Sequence, residues 1–267
     1  MNYIVHLAGI LSALGEKNPD LAVDVNVIGM INAVRAAQAT NSRVFVPSSI
    51  AAFGGDIFPK DMTPVETILQ PKTIYGVGKV FNEMCGEYYK RKFDIDFRCI
   101  RYPGVISSAK YAFNGTTDYS TEIFFEALES GHYTCWIDEN ERMPMIYIDD
   151  CIDATVKYLK ADRHRLTSHC YNLAGISVQA GEFCREVQKI IPGMTLEFEP
   201  DFRQKIAETW PNSLDDELSL RDWDWKYDVT PADLAKKILD GIAPEYKTKL
   251  TTGTTTTHND KDVSYAK

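Results

Sequence analysis

The chain has 267 residues, 44% of them hydrophobic and 25% charged, with a formal net charge of −9 and a pI near 5.1. This is a soluble, globular composition, long enough for one large domain or two modest ones. The acidic balance excludes a sequence-independent nucleic-acid binder, which needs a basic face, and no apolar run reaches the ~18 residues of a membrane span. Six cysteines without a C-x-x-C pair read as reduced thiols. The five histidines have no ligand spacing, so no metal is expected.

In chain order, "YIVHLAG" (3–9) reads as a buried-type strand running into small residues; without a positive n-region it is no signal peptide. "DLAVDVNVIGMINAVRAAQAT" (20–40) has apolar residues at helical spacing and predicts a long helix. A second strand, "SRVFVPSSI" (42–50), precedes a long loop; a second helix spans 75–92 and a third strand 94–107. That β-α-β-α-β order predicts a parallel, doubly wound sheet. The strand ends His6–Gly9, Ser48–Ala51 and Tyr102–Ile106 then share one edge, where open α/β sheets bind ligands.

Beyond residue 108 the elements are mixed: a Gly/Thr/Asn-rich loop leading into a helix, then "MPMIYIDDCIDATVKYLKA", a strand or loop turning into a helix. "CYNLAG" and "TLEFEP" read as short strands separated by the helix "AGEFCREVQKII". The expected organisation is a Rossmann-like half over 1–107 and a smaller mixed α/β substrate-binding portion over 108–245. Some segments of the latter return to the first part. A polar, low-complexity tail over 246–267 is expected to be disordered.

"YGVGK" sets Tyr75 four residues before Lys79, on one helix face. "YYKRK" repeats the spacing as Tyr88 and Lys92, in a charged segment that reads as a solvated face. Context separates the two pairs. Ser48 and Ser49 end a strand and Tyr75 opens the following helix, so all three approach the ligand-binding edge, whereas Tyr88 lies more than three turns away. A serine hydroxyl, a tyrosine phenol and a lysine ammonium gathered there can move a proton, the cation stabilising a phenolate and the serine orienting the substrate oxygen. Ser49 is the catalytic candidate; Ser48 reads as a strand-end partner of the backbone and His6 as a satisfied strand residue.

These residues bring a family resemblance. "HLAG" (6–9), "NVIGMINAV" (26–34), "PSSIAAFG" (47–54), "YGVGK" (75–79), "RYPGVI" (101–106) and "MIYIDDCIDA" (145–154) occur in the order of an extended short-chain dehydrogenase/reductase of the nucleotide-sugar-epimerase type. "LSALGEKNP" (11–19), "GTTDY" (115–119) and "WPNSLDDELSLRDWDWKYD" (210–228) resemble the NAD-dependent L-threonine 3-dehydrogenases of that family. The likeness covers about residues 3–240.

The resemblance implies oxidation of the L-threonine 3-hydroxyl to L-2-amino-3-oxobutanoate, with hydride transfer to NAD. Tyr75 would take the hydroxyl proton, Lys79 would hold the nicotinamide ribose, and Ser49 would bond the substrate oxygen. Leu7, Ala8 and Gly9 would let the cofactor approach, Asn26 would support the strand-end loops, and Pro103 with Val105 would line the nicotinamide pocket. Ser12, Thr116 and Thr117 are candidates for the amino-acid end of the substrate, the threonines having plain turn formation as the alternative. Trp210 either closes the site or packs in the core. The resemblance further implies a homodimer through the helices at 20–40 and 75–92, in a mitochondrion if the source is eukaryotic and the cytoplasm if bacterial.

One part of the family pattern is absent. Extended dehydrogenases open with a strand, a G-x-x-G-x-x-G turn and a helix that receives the pyrophosphate. This chain begins at what the family would number as the fourth strand, and no such glycine pattern occurs in residues 1–267. The "YIVHL" strand is then expected to present an unpaired apolar edge. Two alternatives to an active dehydrogenase follow: an inactive relic that needs a partner chain, and a nucleotide-sugar epimerase or dehydratase.

Overall fold

The structure is a computed structural model and describes residues 3–55, 57–110 and 115–247. It opens with β1 (Tyr3–Val5), α1 (Ser12–Lys17) and α2 (Pro19–Val23), and a π-helical turn, Asp24–Ile28, joins α2 to α3 (Gly29–Thr40). β2 (Arg43–Ser49) ends in a single 3-10 turn, Ile50–Ala52, and a long loop leads to α4 (Ile74–Phe93) and β3 (Phe97–Tyr102). These match the expected strands and helices, except that α1 has no counterpart among them, the first strand stops at Val5 and the long helix contains the π turn. The expected third strand is in fact two. Pro103, which has no N–H to give a ladder, separates β3 from β4 (Gly104–Ile106), and the two lie in different sheets.

There follow α5 (Tyr119–Ser130), β5 (His132–Cys135), β6 (Arg142–Tyr147), α6 (Ile148–Lys160), β7 (Cys170–Asn172), β8 (Ile176–Gln179) and α7 (Ala180–Ile190). β9 (Thr195–Phe198), α8 (Phe202–Ala207), α9 (Glu217–Trp223), α10 (Pro231–Gly241) and α11 (Pro244–Lys247) complete the described chain. Of the expected disordered tail, Tyr246 and Lys247 close α11, with Tyr246 packed edge-on to Phe125, and residues 248–267 lie outside the described residues.

The main sheet has the order β1-β2-β3-β7, all parallel. Its side chains alternate between two helical layers, as the pleat requires. Val44, Val46, Phe97 and Cys99 pack with Met30, Val34 and Ala37 of α3. Phe45, Ile100 and Tyr171 pack with Ala154 and Tyr158 of α6 and Trp223 of α9. Helices on both faces make this a Rossmann-like α/β fold. A three-stranded sheet, β4-β6-β8, and a two-stranded one, β5-β9, adjoin it. Their core centres on Phe124, Met143, Met145 and Phe183. β1 has no strand on its outer side among the described residues, and Tyr3 and Val5 are exposed there.

α4 is the helix that brings the motif residues to the sheet edge. Thr73 caps it, its hydroxyl accepting from the Gly76 N–H at 3.1 Å. Further along, Gly86 lets the helix lie directly on β3, since a Cβ there would stand 2.1 Å from the Phe97 ring. Gly86→Ala is therefore expected to lower stability by about 1–3 kcal/mol through overpacking, read as a lower urea midpoint with an unchanged slope.

Candidate active site

The end of β2, the loop after β1 and the β3–β4 junction surround a cleft of about 260 Å³ at the carboxyl edge of the sheet. Tyr75 and Lys79 enter it from the first turns of α4. The helix reaches this close because Gly76 has no side chain; a Cβ on it would lie 2.1 Å from the Ala51 carbonyl oxygen. The Lys79 ammonium sits 5.1 Å from the centre of the Tyr75 ring and donates to the Pro47 carbonyl at 2.7 Å. Its other two protons have no hydrogen-bond partner among the described residues. Among the described residues nothing is hydrogen-bonded to the Tyr75 hydroxyl.

The two serines are used differently. Ser49 Oγ accepts from the Ala51 N–H at 3.2 Å, which leaves its own proton for a ligand. Ser48, expected to serve the backbone, instead donates to the Glu83 carboxylate, which is paired with Arg101. A buried carboxylate is a stronger acceptor than a carbonyl, so this proton is spent.

All the other candidate residues line the same cleft, apart from Ala8 and Asn26. Ala8 is exposed outside its wall. Asn26, on the π turn, accepts from the Ile10 N–H at 2.8 Å and donates to the Ile10 carbonyl at 3.0 Å, clamping the loop that holds Leu7 and Gly9. Pro103 and Val105 form an apolar wall. Ser12 and Thr116 meet across the cleft, oxygen to oxygen at 3.5 Å, and Thr117 packs on Gly104 in the turn that opens α5. Trp210 is 6% exposed, belongs to the core and also lines the cleft. Asp118, passed over in the sequence reading, lines it too, one carboxylate oxygen accepting from the Gly115 N–H at 2.7 Å. His6 is held below its ordinary pKa by burial and by the Lys79 cation, which keeps it neutral beside the cleft.

Glu83, Cys99 and Cys170 come together in the core, one carboxylate and two thiols that could each offer a ligand atom. The Arg101 guanidinium at 2.7 Å already neutralises that carboxylate, and its charge opposes a metal cation.

The sequence and fold match those of a known class. A model of the NAD dependent epimerase/dehydratase family matches residues 1–174, and the chain belongs to that family. An uncharacterized epimerase/dehydratase of Staphylococcus haemolyticus is 43% identical over 250 residues, 92% of this chain and 78% of that protein. Among solved structures, an L-threonine dehydrogenase from Phytophthora infestans is 44% identical with a TM-score of 0.87, covering 90% of this chain and 78% of that one. A monomeric L-threonine 3-dehydrogenase from a metagenome is 40% identical with a TM-score of 0.87, covering 93% and 79%.

The residues present fit the nicotinamide end of the family's cofactor. A buried ammonium with uncommitted donors suits ribose hydroxyls, and the Pro103–Val105 wall suits an aromatic ring.

On α5, just beyond the Gly115–Asp118 turn, Glu122 is pushed up to about 7 by burial, with the Glu126 carboxylate adding to the effect. The folded chain thus holds a proton there that the unfolded chain loses near pH 4.5. Stability should fall as pH rises through that window. Glu122→Gln is expected to remove this fall, checked by urea unfolding at a series of pH values between the two.

Proposed function

We propose that the chain is an L-threonine 3-dehydrogenase, oxidising the substrate's 3-hydroxyl to give L-2-amino-3-oxobutanoate. The observation that supports this most is a single cleft lined by two chemically distinct sets of groups. One set is Tyr75, Lys79 and Ser49; the other is the Asp118 carboxylate and the Ser12 and Thr116 hydroxyls. The first set suits a secondary alcohol, the second the charged end of an amino acid.

Bound NAD would supply the hydride acceptor. Ser49 donates its free proton to the substrate oxygen and fixes its direction. Tyr75, as phenolate, takes the hydroxyl proton, and the Lys79 ammonium stabilises that phenolate while its remaining donors hold the ribose. Asp118 faces the substrate ammonium, and Trp210 closes the cleft beside it. The likeness to L-threonine dehydrogenases at 40% and 44% identity supports the same substrate.

The full chain, mixed with NAD and L-threonine, is expected to produce NADH absorbance. Tyr75→Phe and Lys79→Met should each lower the rate about 10²-fold or more, with folding unchanged by circular dichroism. Intact NAD binding by calorimetry without any threonine-dependent NADH would overturn the assignment and favour an epimerase, which returns its hydride within the cycle.

We also propose that the chain pairs with a second copy through α4. Val77, Phe81, Met84 and Tyr88 recur at helical spacing on its outer side, and all are exposed; an unpartnered apolar stripe of this length marks an interface. Leu21 and Val23 of α2 add to it. Light scattering should give the mass of two chains, and Phe81→Glu with Met84→Glu should halve it. A single-chain mass for the unmodified protein, as in the relative described as monomeric, would rule the pairing out.

A further inference from the structure

Tyr75, Lys79 and Glu83 recur every four residues along α4, so all three face the same neighbour, the end of β2. Lys79 donates to the Pro47 carbonyl at 2.7 Å, and one turn on, Glu83 accepts from the Ser48 hydroxyl. None of this is solvated: Glu83 is 1% exposed, Ser48 2% and Arg101 4%. Arg101 stands beside Ser48 in the parallel register of β2 and β3. Its guanidinium closes on the Glu83 carboxylate with two bonds, at 2.9 and 2.7 Å. The remaining nitrogen donates at 2.7 Å to the Val65 carbonyl, in the loop that precedes α4.

A helix can be kept on a sheet by apolar side chains alone. A buried ion pair adds little net stability over them because both charges lose their water. It does add direction: two parallel bonds and a hydroxyl bond fix distance and angle in a way that methyl contacts do not. The dimension fixed here is the sliding of α4 along the last residues of β2. That sliding sets where Tyr75 and Lys79 stand relative to Ser49.

We propose that Glu83 is a positioning residue for proton transfer: clamped by Arg101, it ties Ser48 and so locks the end of β2 in register with Lys79 and Tyr75. This deepens the dehydrogenase reading, and rests on it for the roles of Ser49, Tyr75 and Lys79. It also assigns the two adjacent serines opposite jobs, Ser49 to the ligand and Ser48 to the frame.

Ser48→Ala tests it most cleanly, since it removes the tie and leaves the Glu83–Arg101 pair intact; Glu83→Gln is the companion variant. Lysine acylation followed by peptide mass spectrometry reads the frame without needing turnover. In the unmodified chain Lys79 is buried and bonded to Pro47 and should label slowly. In Ser48→Ala it should label several-fold faster relative to Lys237 on α10, while unfolding remains cooperative. In turnover, kcat should fall about 10-fold, the cost of a small misplacement of reacting groups, with the KM for NAD little changed. A cooperatively folded Ser48→Ala with unaltered Lys79 labelling and unaltered kcat overturns the proposal. If the unmodified chain binds NAD but does not oxidise threonine, the dehydrogenase reading fails, and Lys79 labelling alone decides the positioning role.

Discussion

Where α4 begins, its backbone lies against the turn that follows β2, and the absent side chain of Gly76 is what permits the contact. Three further contacts are set by that approach. Lys79 reaches the Pro47 carbonyl, Glu83 reaches Ser48, and on the other side Asn82 donates to the Asn26 carbonyl at 3.0 Å. Asn26 in turn grips both polar groups of Ile10. One helix thus fixes two strand-end loops, those after β1 and β2, which both line the cleft. A side chain at position 76 would lift the helix end and loosen both loops at once.

The parts of this arrangement written locally in the chain were legible from it. α4, β2 and the Tyr75–Lys79 pair follow from the alternation of β-branched and amphipathic runs and from a four-residue spacing. The parts that depend on distant partners were not. β5 and β8 are four-residue strands with mixed composition, and β5 exists only because it pairs with β9, some sixty residues later. The division of 94–107 at Pro103 depends on β4 finding β6 instead of continuing beside β2. Glu83 sits in "FNEMCGEYYKRK", where an acid reads as a solvated helix residue. Its burial follows only from Arg101 arriving on the adjoining strand. Asp118 lay inside a quoted motif, but a carboxylate before a helix has a ready explanation as a helix-start residue, and nothing local turns it toward the cleft.

β3 is unusual in sending two buried arginines to opposite faces, and the pair explains how both helical layers are aligned on one sheet. Arg101 faces α4 through Glu83. Arg98, fully buried on the other face, donates to the carbonyls of Tyr158, Leu159 and Ala161 at the C-terminal end of α6, and to Asp96. The end of a helix presents unpaired carbonyls and a partial negative charge, so a cation there satisfies both. Asp96, bridged also by Arg43 at 2.5 Å, is held below the usual carboxylate range by these two guanidinium groups despite its burial. Each layer is therefore seated by a directional charged contact and filled by apolar ones. A sheet whose carboxyl edge must present three side chains in register needs the first as well as the second.

The same reasoning explains how a family named for epimerases includes dehydrogenase-like relatives without a change of fold. A phenol, an ammonium and a hydroxyl at the end of a parallel sheet handle the proton of any secondary alcohol whose carbon gives up hydride, so this part of the site says little about the substrate. Under the proposed function, the groups that would choose the substrate are other residues of the lining. Thr116, Thr117 and Asp118 come from the turn before α5 and Trp210 from the loop after α8, both in the second half of the chain. They meet the first half through the Ser12–Thr116 contact at 3.5 Å and the packing of Thr117 on Gly104, and Trp136 donates to the Thr116 carbonyl. Among the described residues these groups make no hydrogen bond to Tyr75, Lys79 or Ser49, so this lining can change its polar groups without disturbing the α4–β2 frame. Under the proposed function, substrate choice and proton transfer would thereby be physically separable within one cleft.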